Sequence, residues 1–328
     1  MPSIFVKIPE TLCETIRLDQ YIASIPQGMN RSKLKSTAQE ILLNGKNAKL
    51  SSKVKKGDVI EILWEDNIPT DIEPENIPLK IIYEDENVTV VNKASGMVTH
   101  PALGNWSKTL VNALLYHWKK EAVPQKKDVS QNEILKSRRP GIVHRLDKDT
   151  SGIIITAKNR ETEEYLSSQF KERLVQKEYI LICKGRPPAS SGDVKTQIVR
   201  DSKNRKKFKA LTDTTDGKFA RSIYHCISCY GPYSVVRVRI KTGRTHQIRV
   251  HMKYLGCQIL GDKLYSKPDE NFPDVPLMLH SRKLVIKLPG KEKYHCFKAQ
   301  IPSRFYEVLK KLKKKYPKEV MPRVKCIR

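Results

Sequence analysis

The sequence predicts an α+β fold in two parts, a small N-terminal domain and a larger core built on a mixed, mostly antiparallel β-sheet with flanking helices. Three observations lead to this prediction. The 328 residues are enough for two domains. Strand-like runs and amphipathic helical segments are interspersed, and few of them follow the strict alternation of parallel α/β folds. Residues 65–79 contain three prolines and no helical or strand period, which predicts a linker between the two parts.

The charge of the chain predicts a polyanionic partner. Lysine and arginine number 62 against 35 acidic residues, a formal net charge of +27 that is spread along the sequence. Such an excess is typical of proteins that bind nucleic acid or an anionic membrane surface. The membrane alternative needs a lipid-facing amphipathic helix, and only the C-terminal segment comes near that pattern. Its apolar residues are expected to dock on the core instead.

Three further features predict a cytoplasmic protein. No run approaches eighteen apolar residues, so no spanning helix is expected. The N-terminus lacks the basic region, apolar stretch and cleavage site of a secretory signal. The seven cysteines are scattered and odd in number, which indicates reduced thiols. Cys226 and Cys229 form a lone C-x-x-C in a strand-like setting, so they are expected to pack in the core and not to bind zinc.

The first sixty-four residues predict a strand, two helices and a β-structured end. Residues 1–14 lead in with one strand. After Thr15, three apolar residues recur at helical spacing until Pro26, namely Leu18, Tyr21 and Ile22. A second helix is predicted with Ser32 as its N-cap and an apolar stripe of Leu34, Ala38, Ile41 and Leu42. Asn44-Gly45 then predicts a tight turn, and Val59–Trp64 a strand.

This order of elements resembles the alpha-L RNA-binding domain, over residues 15–64. The matching segments are Arg17-Leu18-Asp19-Gln20-Tyr21, Arg31-Ser32-Lys33, Asn44-Gly45-Lys46 and Lys56-Gly57-Asp58. The chain departs from the family pattern at Leu42-Leu43, where members usually have a glycine before the turn. The resemblance implies RNA binding, with Arg31 and Lys33 at the start of a helix contacting phosphates. The alternative is that this helix face is merely solvated.

The core from residue 80 to residue 300 predicts strands with interspersed helices. The predicted strands are Leu79–Tyr83, Val88–Val91, Ile153–Ile155, Glu178–Cys183, Tyr233–Ile240, Leu277–His280 and Leu284–Ile286. The predicted helices follow the N-caps Thr109, Asn159 and Thr245, and the last of them ends at Gly256. Residues 301–328 predict a basic C-terminal helix and tail.

Two basic stretches interrupt this pattern. Residues 119–139 are polar and lysine-rich without any apolar period, which predicts a surface insertion. Residues 200–222 are also basic, and five lysine and arginine side chains lie close to Phe208 in sequence, at positions 203, 205, 206, 207 and 209. They form either a hairpin arm over nucleic acid or an exposed basic loop.

The chemistry is expected at residues 141–152, a charge-dense loop that opens onto the apolar run Ile153–Ile155. The sequence has no phosphate-binding Gly-Lys-Ser/Thr loop, no dinucleotide-binding glycine motif and no H-E-x-x-H zinc motif. A kinase is excluded because no glycine-rich loop precedes His144-Arg145-Leu146-Asp147 and no Asp-Phe-Gly follows it. His246 and His251 are five residues apart, a poor spacing for a metal, so they are expected to be structural or to face RNA.

Asp147 is the carboxylate that remains, in a setting of Arg145, Lys148 and, from further along the chain, Arg244 and Arg249. A carboxylate kept ionised by nearby cations can act as a nucleophile or as a base. An aromatic side chain such as Tyr179 could stack on a nucleobase.

These residues lie in a pattern that resembles the RluA-type RNA pseudouridine synthases, and among them the RluD-like enzymes of large-subunit ribosomal RNA. The matching segments are residues 82–86, 91–93, 96–98, 100–101, 109–115, 141–152, 177–179, 242–251 and 279–280. Residues 141–152 and 242–251 are the most specific of these. One departure is Ala94, where the family usually has proline, and it should loosen that loop slightly.

The resemblance implies that uridine in RNA is isomerised to pseudouridine without a cofactor or a metal. By position in the motifs, Asp147 is the catalytic carboxylate, which either attacks the anomeric carbon or removes a sugar proton. Tyr179 matches the aromatic residue that packs on the uracil, and Arg249 matches the basic partner of the aspartate.

The remaining site residues are assigned to RNA binding and base flipping. Arg145 matches the residue that enters the RNA stack as the target base leaves it, since a planar guanidinium can fill the gap. His144 and Leu146 are expected to position and pack this loop. His144 and Arg244 are predicted to take part in RNA binding together with Arg145.

The expected substrate is large-subunit ribosomal RNA, with transfer RNA as the alternative. An RNA-binding assembly factor without catalysis is a second alternative, and the intact set of Asp147, Tyr179 and Arg249 argues against it. The protein is expected to be a monomer, because no heptads or apolar surface stripe indicate otherwise.

Overall fold

The computed structural model describes residues 3–12, 14–25, 31, 34, 38–64, 72–102, 104–119 and 140–321. The chain divides into two compact units, residues 1–70 and residues 71–328. Each unit has an apolar core of its own.

The smaller unit contains a four-stranded antiparallel sheet in the order β1–β6–β3–β4, and β2 pairs separately with β5. Its elements are β1 (Ser3–Lys7), β2 (Ile16–Arg17), α1 (Leu18–Ser24), β3 (Ala38–Leu43), β4 (Lys46–Asn47), β5 (Lys53–Val54) and β6 (Val59–Trp64). The predicted first helix is confirmed, and Leu18, Tyr21 and Ile22 are buried in one core with Ile60 and Ile62. Strand β1 pairs with β6, so residues 3–7 are part of this sheet.

The predicted second helix is wrong from Ala38 onward, because these residues form β3. Ile41 pairs with Ile62 of β6. Asn44 and Gly45, with φ of 53° and 74°, close the β3–β4 hairpin as the Asn-Gly signal predicts. A short apolar run satisfies the helical and the strand period equally, and pairing with β6 favours the strand.

The start of that predicted helix is only partly visible. Arg31 and Leu34 are helical, and Leu34 is fully buried. Ser32, Lys33 and Lys35 lie outside the described residues, so the predicted cap and phosphate contacts stay predictions.

The larger unit is organised on an eleven-stranded mixed sheet. Nine strands follow the order β12–β11–β13–β14–β10–β15–β9–β8–β7, with β16 on β15 and β17 on β13. Their bounds are β7 (Ile81–Glu84), β8 (Val88–Lys93), β9 (Ser151–Ala157), β10 (Gln176–Lys184), β11 (Ser191–Arg200), β12 (Phe208–Leu211), β13 (Lys218–Tyr230), β14 (Tyr233–Ile240), β15 (Leu279–Lys287), β16 (Tyr294–Lys298) and β17 (Lys318–Glu319). Among these described strands only β9 and β15 pair in parallel. The predicted α+β class is therefore confirmed.

In the described part of the larger unit, four helices flank this sheet, α2 (Leu110–His117), α3 (Arg160–Lys171), α4 (Gln247–Tyr254) and α5 (Ser303–Lys315). The predicted cap Thr109 is confirmed, because its hydroxyl accepts from the Asn112 amide while the Asn112 side chain accepts from the Thr109 amide. The predicted cap Asn159 is confirmed by a bond of 2.9 Å from the Thr162 amide.

The prediction of Thr245 as the cap of α4 is wrong. The helix begins at Gln247, and its N-cap position is His246, which has a left-handed backbone and no capping bond from its side chain. The Gln247 side-chain oxygen instead accepts from the Arg244 amide at 3.0 Å and from the Thr242 hydroxyl at 2.7 Å, which closes the turn. The predicted end of α4 at Gly256 (φ +76°) is confirmed.

The two strands predicted around residue 280 are one continuous strand, β15. It runs from Leu279 to Lys287 because it pairs with β10 on one side and with β16 on the other, and this pairing continues through the polar residues in its middle. Leu277 lies ahead of this strand and is buried in the core.

The C-terminal helix α5 docks on the sheet through its apolar face. Phe305, Val308 and Leu312 are buried in the same core cluster as Tyr233 and Met278. Five exposed lysines lie on its other sides, at positions 310, 311, 313, 314 and 315. The predicted docking is therefore confirmed, and no helix in the described part of the chain is long and apolar enough to cross a membrane.

Residues 72–79 of the predicted linker contact α2. Ile72 is buried against Val111 and Leu115. The Asn112 side chain donates to the Glu73 carbonyl at 2.8 Å. Residues 65–71 lie outside the described part of the chain.

The two basic stretches have different outcomes. Residues 120–139 of the predicted insertion lie outside the described residues. In the predicted arm, β11 and β12 form a hairpin that ends with Arg200 paired to Phe208, and residues 218–222 begin β13. Contact of this arm with RNA stays a prediction.

Candidate active site

The loop that carries Asp147 is held by the segment that follows β8. The Thr99 hydroxyl donates to the Leu146 carbonyl at 2.9 Å. The Ser95 hydroxyl donates to the Asp149 carbonyl at 2.7 Å. Bonds on both sides of Asp147 therefore fix its backbone, as a catalytic side chain requires.

Lys93 is buried and joins the segment that follows β8 to the loop that carries Asp147. Its ammonium donates to the carbonyls of Ala94 and Met97, both at 2.8 Å, and of Lys148 at 3.0 Å. Burial lowers the pKa of Lys93 to about 7, although the negative charge of Asp147 opposes this. The chain departs from the family pattern at Ala94, and the Ala94 carbonyl accepts one of these bonds from Lys93.

Asp147 forms an ion pair with Arg249 of α4. Arg249 Nη1 lies 3.2 Å from Asp147 Oδ2. The other side of the guanidinium makes two bonds of 2.8 Å to the buried carboxylate of Asp262. Burial lowers the pKa of Arg249, but Asp262 and Asp147 more than offset this and raise it overall. A permanently charged, oriented donor thus faces the Asp147 carboxylate.

Asp262 also closes the turn at residues 261–265. Its Oδ1 accepts from the amides of Leu264 at 3.0 Å and Tyr265 at 3.1 Å. The guanidinium carbon of Arg249 lies 5.0 Å from the centre of the Tyr265 ring. Arg249 is therefore held by a carboxylate at one edge and by an aromatic face.

A cavity of about 470 Å³ lies beside Asp147, a size in the range of small-molecule sites. Its lining brings together six residues predicted for the site, namely His144, Arg145, Asp147, Tyr179, Arg244 and Arg249. They come from the loop before β9, from β10, from the turn before α4 and from α4 itself.

Tyr179 is the aromatic side chain that β10 contributes to the cavity. It is 6% exposed, and it pairs with Ser281 of the neighbouring strand β15 in the sheet register. Burial raises its pKa above the ordinary value. Tyr179 is therefore a neutral phenol at neutral pH.

His144 fixes the loop to the sheet. Its Nε2 accepts a bond of 3.0 Å from the Ile155 amide, and its ring stacks on Phe170 with a centroid distance of 4.5 Å. Burial, assisted by the charge of Lys177, lowers the pKa of His144 to about 3. These contacts support the expected positioning role.

Arg145 and Arg244 are the two predicted RNA-binding cations in the cavity lining. Arg145 is exposed, between His144 and Leu146. Arg244 donates from Nε to the Phe219 carbonyl at 3.0 Å, which ties the turn before α4 to β13. Both could attract phosphate groups to the site.

The other two predicted residues belong to the smaller unit. Arg31 pairs with Asp19 at 2.7 Å and is 52% exposed. Bonds from Arg17 and then from Arg31 hold the pKa of Asp19 below its usual value, despite burial. Lys33 lies outside the described residues.

Sequence reasoning missed Asp262 and Tyr265 and left the role of His246 open. The segment Gly261-Asp262-Lys263-Leu264-Tyr265 contains a usable signal, because an aspartate after a glycine is typical of a turn in which the carboxylate accepts from later amides. Its partnership with Arg249 could not be predicted from the sequence, since it depends on how the turn packs on α4.

Cys226 and Cys229 pack in the core as predicted. Both are buried, with sulfur atoms 3.5 Å apart. Among the residues that the structure describes, no group of three or more histidine, cysteine or acidic side chains could hold a metal ion.

Comparison with known families identifies a similarity over half of the chain. Residues 87–254 match the family model described as RNA pseudouridylate synthase. The matched range contains the loop of Asp147, Tyr179 and all of α4.

Curated relatives extend this similarity over most of the chain. It is 43% identical to Ribosomal large subunit pseudouridine synthase D of Borreliella burgdorferi over 296 residues, which are 88% of this chain and 87% of that protein. It is 38% identical to Ribosomal large subunit pseudouridine synthase D of Zymomonas mobilis over 255 residues, which are 76% of this chain and 77% of that protein.

A solved structure supports the fold. Human RNA Pseudouridylate Synthase Domain Containing 4 matches with a TM-score of 0.55 and 25% identity, covering 74% of this chain and 95% of that one.

Proposed function

The chain belongs to the RNA pseudouridylate synthase family, and on that premise we propose that it modifies large-subunit ribosomal RNA with Asp147 as its catalytic carboxylate. The enzyme isomerises uridine in RNA to pseudouridine. The observation that supports the site is the ion pair of Asp147 with Arg249, in one cavity with Tyr179. The substrate proposal is supported by the two relatives named for the ribosomal large subunit and by the net charge of +27.

Asp147 begins the reaction in either of two ways. Its carboxylate attacks the anomeric carbon of the sugar, or it removes a sugar proton to give a glycal. Both routes break the bond from the sugar to N1 of uracil and then form a bond from the sugar to C5. The proton on C5 is lost to solvent and N1 takes up a proton, so the product has the same composition as uridine. Arg249 orients the carboxylate for this step, because its other edge is fixed on Asp262.

Tyr179 provides the surface on which the uracil turns. A buried neutral phenol packs on a nucleobase without placing a second charge beside Asp147. The isomerisation moves atoms within one nucleotide and has no net oxidation or reduction. We propose that it needs no cofactor or metal.

Arg145 keeps the target base out of the RNA stack. A base within a helix is out of reach of Asp147, so it must leave the stack at a cost of about a few kcal/mol. Arg145 is exposed and lines the same cavity, so its planar guanidinium can replace the base in the stack. Arg244 contacts the phosphates beside the target.

The smaller unit contributes RNA affinity. Its resemblance to the alpha-L domain and its basic residues support this role, in which Arg31 and Lys33 contact RNA phosphates. Removal of residues 1–70 should weaken RNA binding and make the affinity less dependent on salt concentration. The rate of the chemical step should change less. Unchanged binding at physiological salt would contradict the role of this unit.

Pseudouridine mapping tests the proposed function. Ribosomal and transfer RNA are compared from cells that lack the protein, complemented with the wild type or with Asp147→Ala. Loss of particular large-subunit sites, restored only by the wild type, is the expected result. Loss of pseudouridine sites in transfer RNA instead would identify transfer RNA as the substrate. Rescue by Asp147→Ala would rule out Asp147 as the catalytic group and favour an RNA-binding assembly factor.

A further inference from the structure

Tyr265 is a buried residue that joins the β11–β12 hairpin to the catalytic site. Its side chain is 5% exposed. Its hydroxyl lies 2.9 Å from the amide nitrogen of Phe208 at the start of β12, and 2.9 Å from Nδ1 of His246. Its ring lies against the guanidinium of Arg249. One side chain thus contacts the hairpin and two residues next to Asp147.

The hydrogens in this chain of contacts can be assigned from the donors available. The Phe208 amide can only donate, so the Tyr265 oxygen accepts from it. Burial raises the pKa of Tyr265 to about 12, so the hydroxyl keeps its proton at neutral pH and can donate it to His246 Nδ1. Burial lowers the pKa of His246, although Asp147 opposes this, so the ring is neutral and carries one proton. That proton is then on Nε2.

The backbone of His246 holds the ring in this place. Its φ of 55° and ψ of 16° lie in the left-handed region, which a residue with a side chain adopts at an energetic cost. Nε2 lies 3.9 Å from Asp147 Oδ2. A neighbouring ring also packs here, since Phe208 meets the imidazole edge to face at 5.7 Å. A residue keeps a left-handed backbone of this kind only where the surrounding contacts offset its energetic cost.

We propose that Tyr265 is a positioning residue, which holds His246 with its proton on Nε2 and so directs a second donor, beside Arg249, at Oδ2 of Asp147. The inference rests on the proposed function of Asp147. It also gives the β11–β12 hairpin a part in catalysis, because the Phe208 amide fixes the Tyr265 hydroxyl.

The arrangement distinguishes the two oxygens of Asp147. Arg249 Nη1 and His246 Nε2 both approach Oδ2, which favours Oδ1 as the oxygen presented to the sugar. The separation of 3.9 Å exceeds a hydrogen bond by about 1 Å, and the proposal requires the two groups to come closer when Asp147 engages its substrate. A donor that acts in this way changes kcat more than KM.

Tyr265→Phe tests the inference, because it removes one oxygen and keeps the ring against Arg249. We expect kcat to fall about 10-fold with KM within about 2-fold of the wild type, the loss of one aligned hydrogen bond. The exposed Tyr294 (55% exposed) gives the matched control Tyr294→Phe, which should leave kcat unchanged. The readout is tritium release from RNA labelled at C5 of uridine.

The position of the proton on His246 is measured separately, on the free protein. Long-range ¹H–¹⁵N correlation spectra of histidine-labelled protein distinguish a proton on Nε2 from one on Nδ1. The His246 signals are assigned by their absence in His246→Asn, since asparagine tolerates the left-handed backbone. The wild type should show the proton on Nε2, and Tyr265→Phe should show a mixture.

A double-mutant cycle completes the test. If Tyr265 acts through His246, then Tyr265→Phe should add less than about 2-fold to the kcat loss of His246→Asn. Wild-type kcat in Tyr265→Phe, an unchanged proton position, or fully additive losses would overturn the inference. A merely structural role would lower the melting temperature without changing the proton position. A wild-type enzyme that releases no tritium would instead overturn the proposed function, while the spectra would still decide the His246 proton.

Discussion

Arg249 Nη1 lies 3.2 Å from Asp147 Oδ2, although 102 residues of sequence separate the two. Neither side chain is fixed by the other alone. Lys93 and Thr99 hold the loop of Asp147 through its backbone, and Asp262 holds the guanidinium of Arg249. The geometry of the pair is therefore set by groups that need not touch the substrate.

Arg249→Lys should separate charge from geometry at this pair. Lysine keeps the positive charge but cannot make the two parallel bonds to Asp262, so its donor is no longer aimed at Asp147. We expect kcat to fall about 100-fold with KM within about 3-fold. Tritium release measures both. Arg239→Lys, on β14 with only a 3.8 Å contact to Glu178, is the control. A kcat equal to that of the wild type would show that charge alone suffices.

Asp262→Asn should destabilise the protein as well as slow it. Asp262 is 2% exposed, and the change removes the buried negative charge that pairs with the Arg249 guanidinium. Breaking a buried ion pair from one side costs about 3 kcal/mol of unfolding free energy. Urea unfolding measures it. Glu164→Gln removes an exposed ion pair on α3 and should change the midpoint little. Equal midpoints for the two variants would show that Asp262 does not anchor Arg249.

Local patterns in the sequence predicted most elements. The caps Thr109 and Asn159 act through bonds within four residues, so the residue types alone indicate them. The strand Tyr233–Ile240 has the predicted bounds, and buried and exposed side chains alternate in its second half. Ala38–Leu43 was assigned wrongly, since its type depends on pairing with β6, far along the chain.

The site could be predicted from the sequence only in part. The grouping of Asp147, Tyr179 and Arg249 came from the family resemblance, and the cavity lining places them together. Asp262 and Tyr265 act through packing of one turn on α4. No periodicity or spacing reports such a contact, because it forms between segments whose separation in sequence is unrelated to their separation in space.

Arg145→Ala should affect targets within a helix more than unpaired ones. If Arg145 fills the gap left by the target base, its loss matters only where a stack has to be opened. We expect kcat/KM to fall about 100-fold for a uridine in a stem and less than about 10-fold for one in a loop. Arg160→Ala, at a side chain 91% exposed on α3, is the control. Equal losses on both RNAs would indicate a phosphate contact instead.

Lys93 should make stability depend on pH above 7. Burial lowers its pKa from 10.5 to about 7, so between these values the unfolded chain binds a proton that the folded protein does not. The unfolding free energy therefore rises with pH through this range, and the cost of burying the charge is greatest below pH 7.

The measurement compares wild type with Lys93→Met in urea at pH 7 and pH 9. The wild type should gain about 2 kcal/mol of unfolding free energy relative to the variant between these values. Lys291→Met, at an exposed lysine, controls for the loss of a surface charge. A difference that stays constant with pH would mean that Lys93 keeps its charge throughout.

Gly152→Ala should disrupt the junction between the catalytic loop and the sheet. Gly152 has a φ of +116°, and a Cβ built there would lie 2.2 Å from the Ser281 carbonyl oxygen, in the parallel pairing of β9 with β15. Backbone cannot move aside as a flexible side chain can, so we expect a loss of about 3 kcal/mol or more of unfolding free energy. Ser281 also pairs with Tyr179 across β15 and β10, so activity should fall with stability. Gly243→Ala is the control for stability, because its nearest atom is Lys177 Nζ at 3.7 Å and its φ is not positive. Equal urea midpoints for the two variants would show that β9 and β15 can separate at Gly152 without cost.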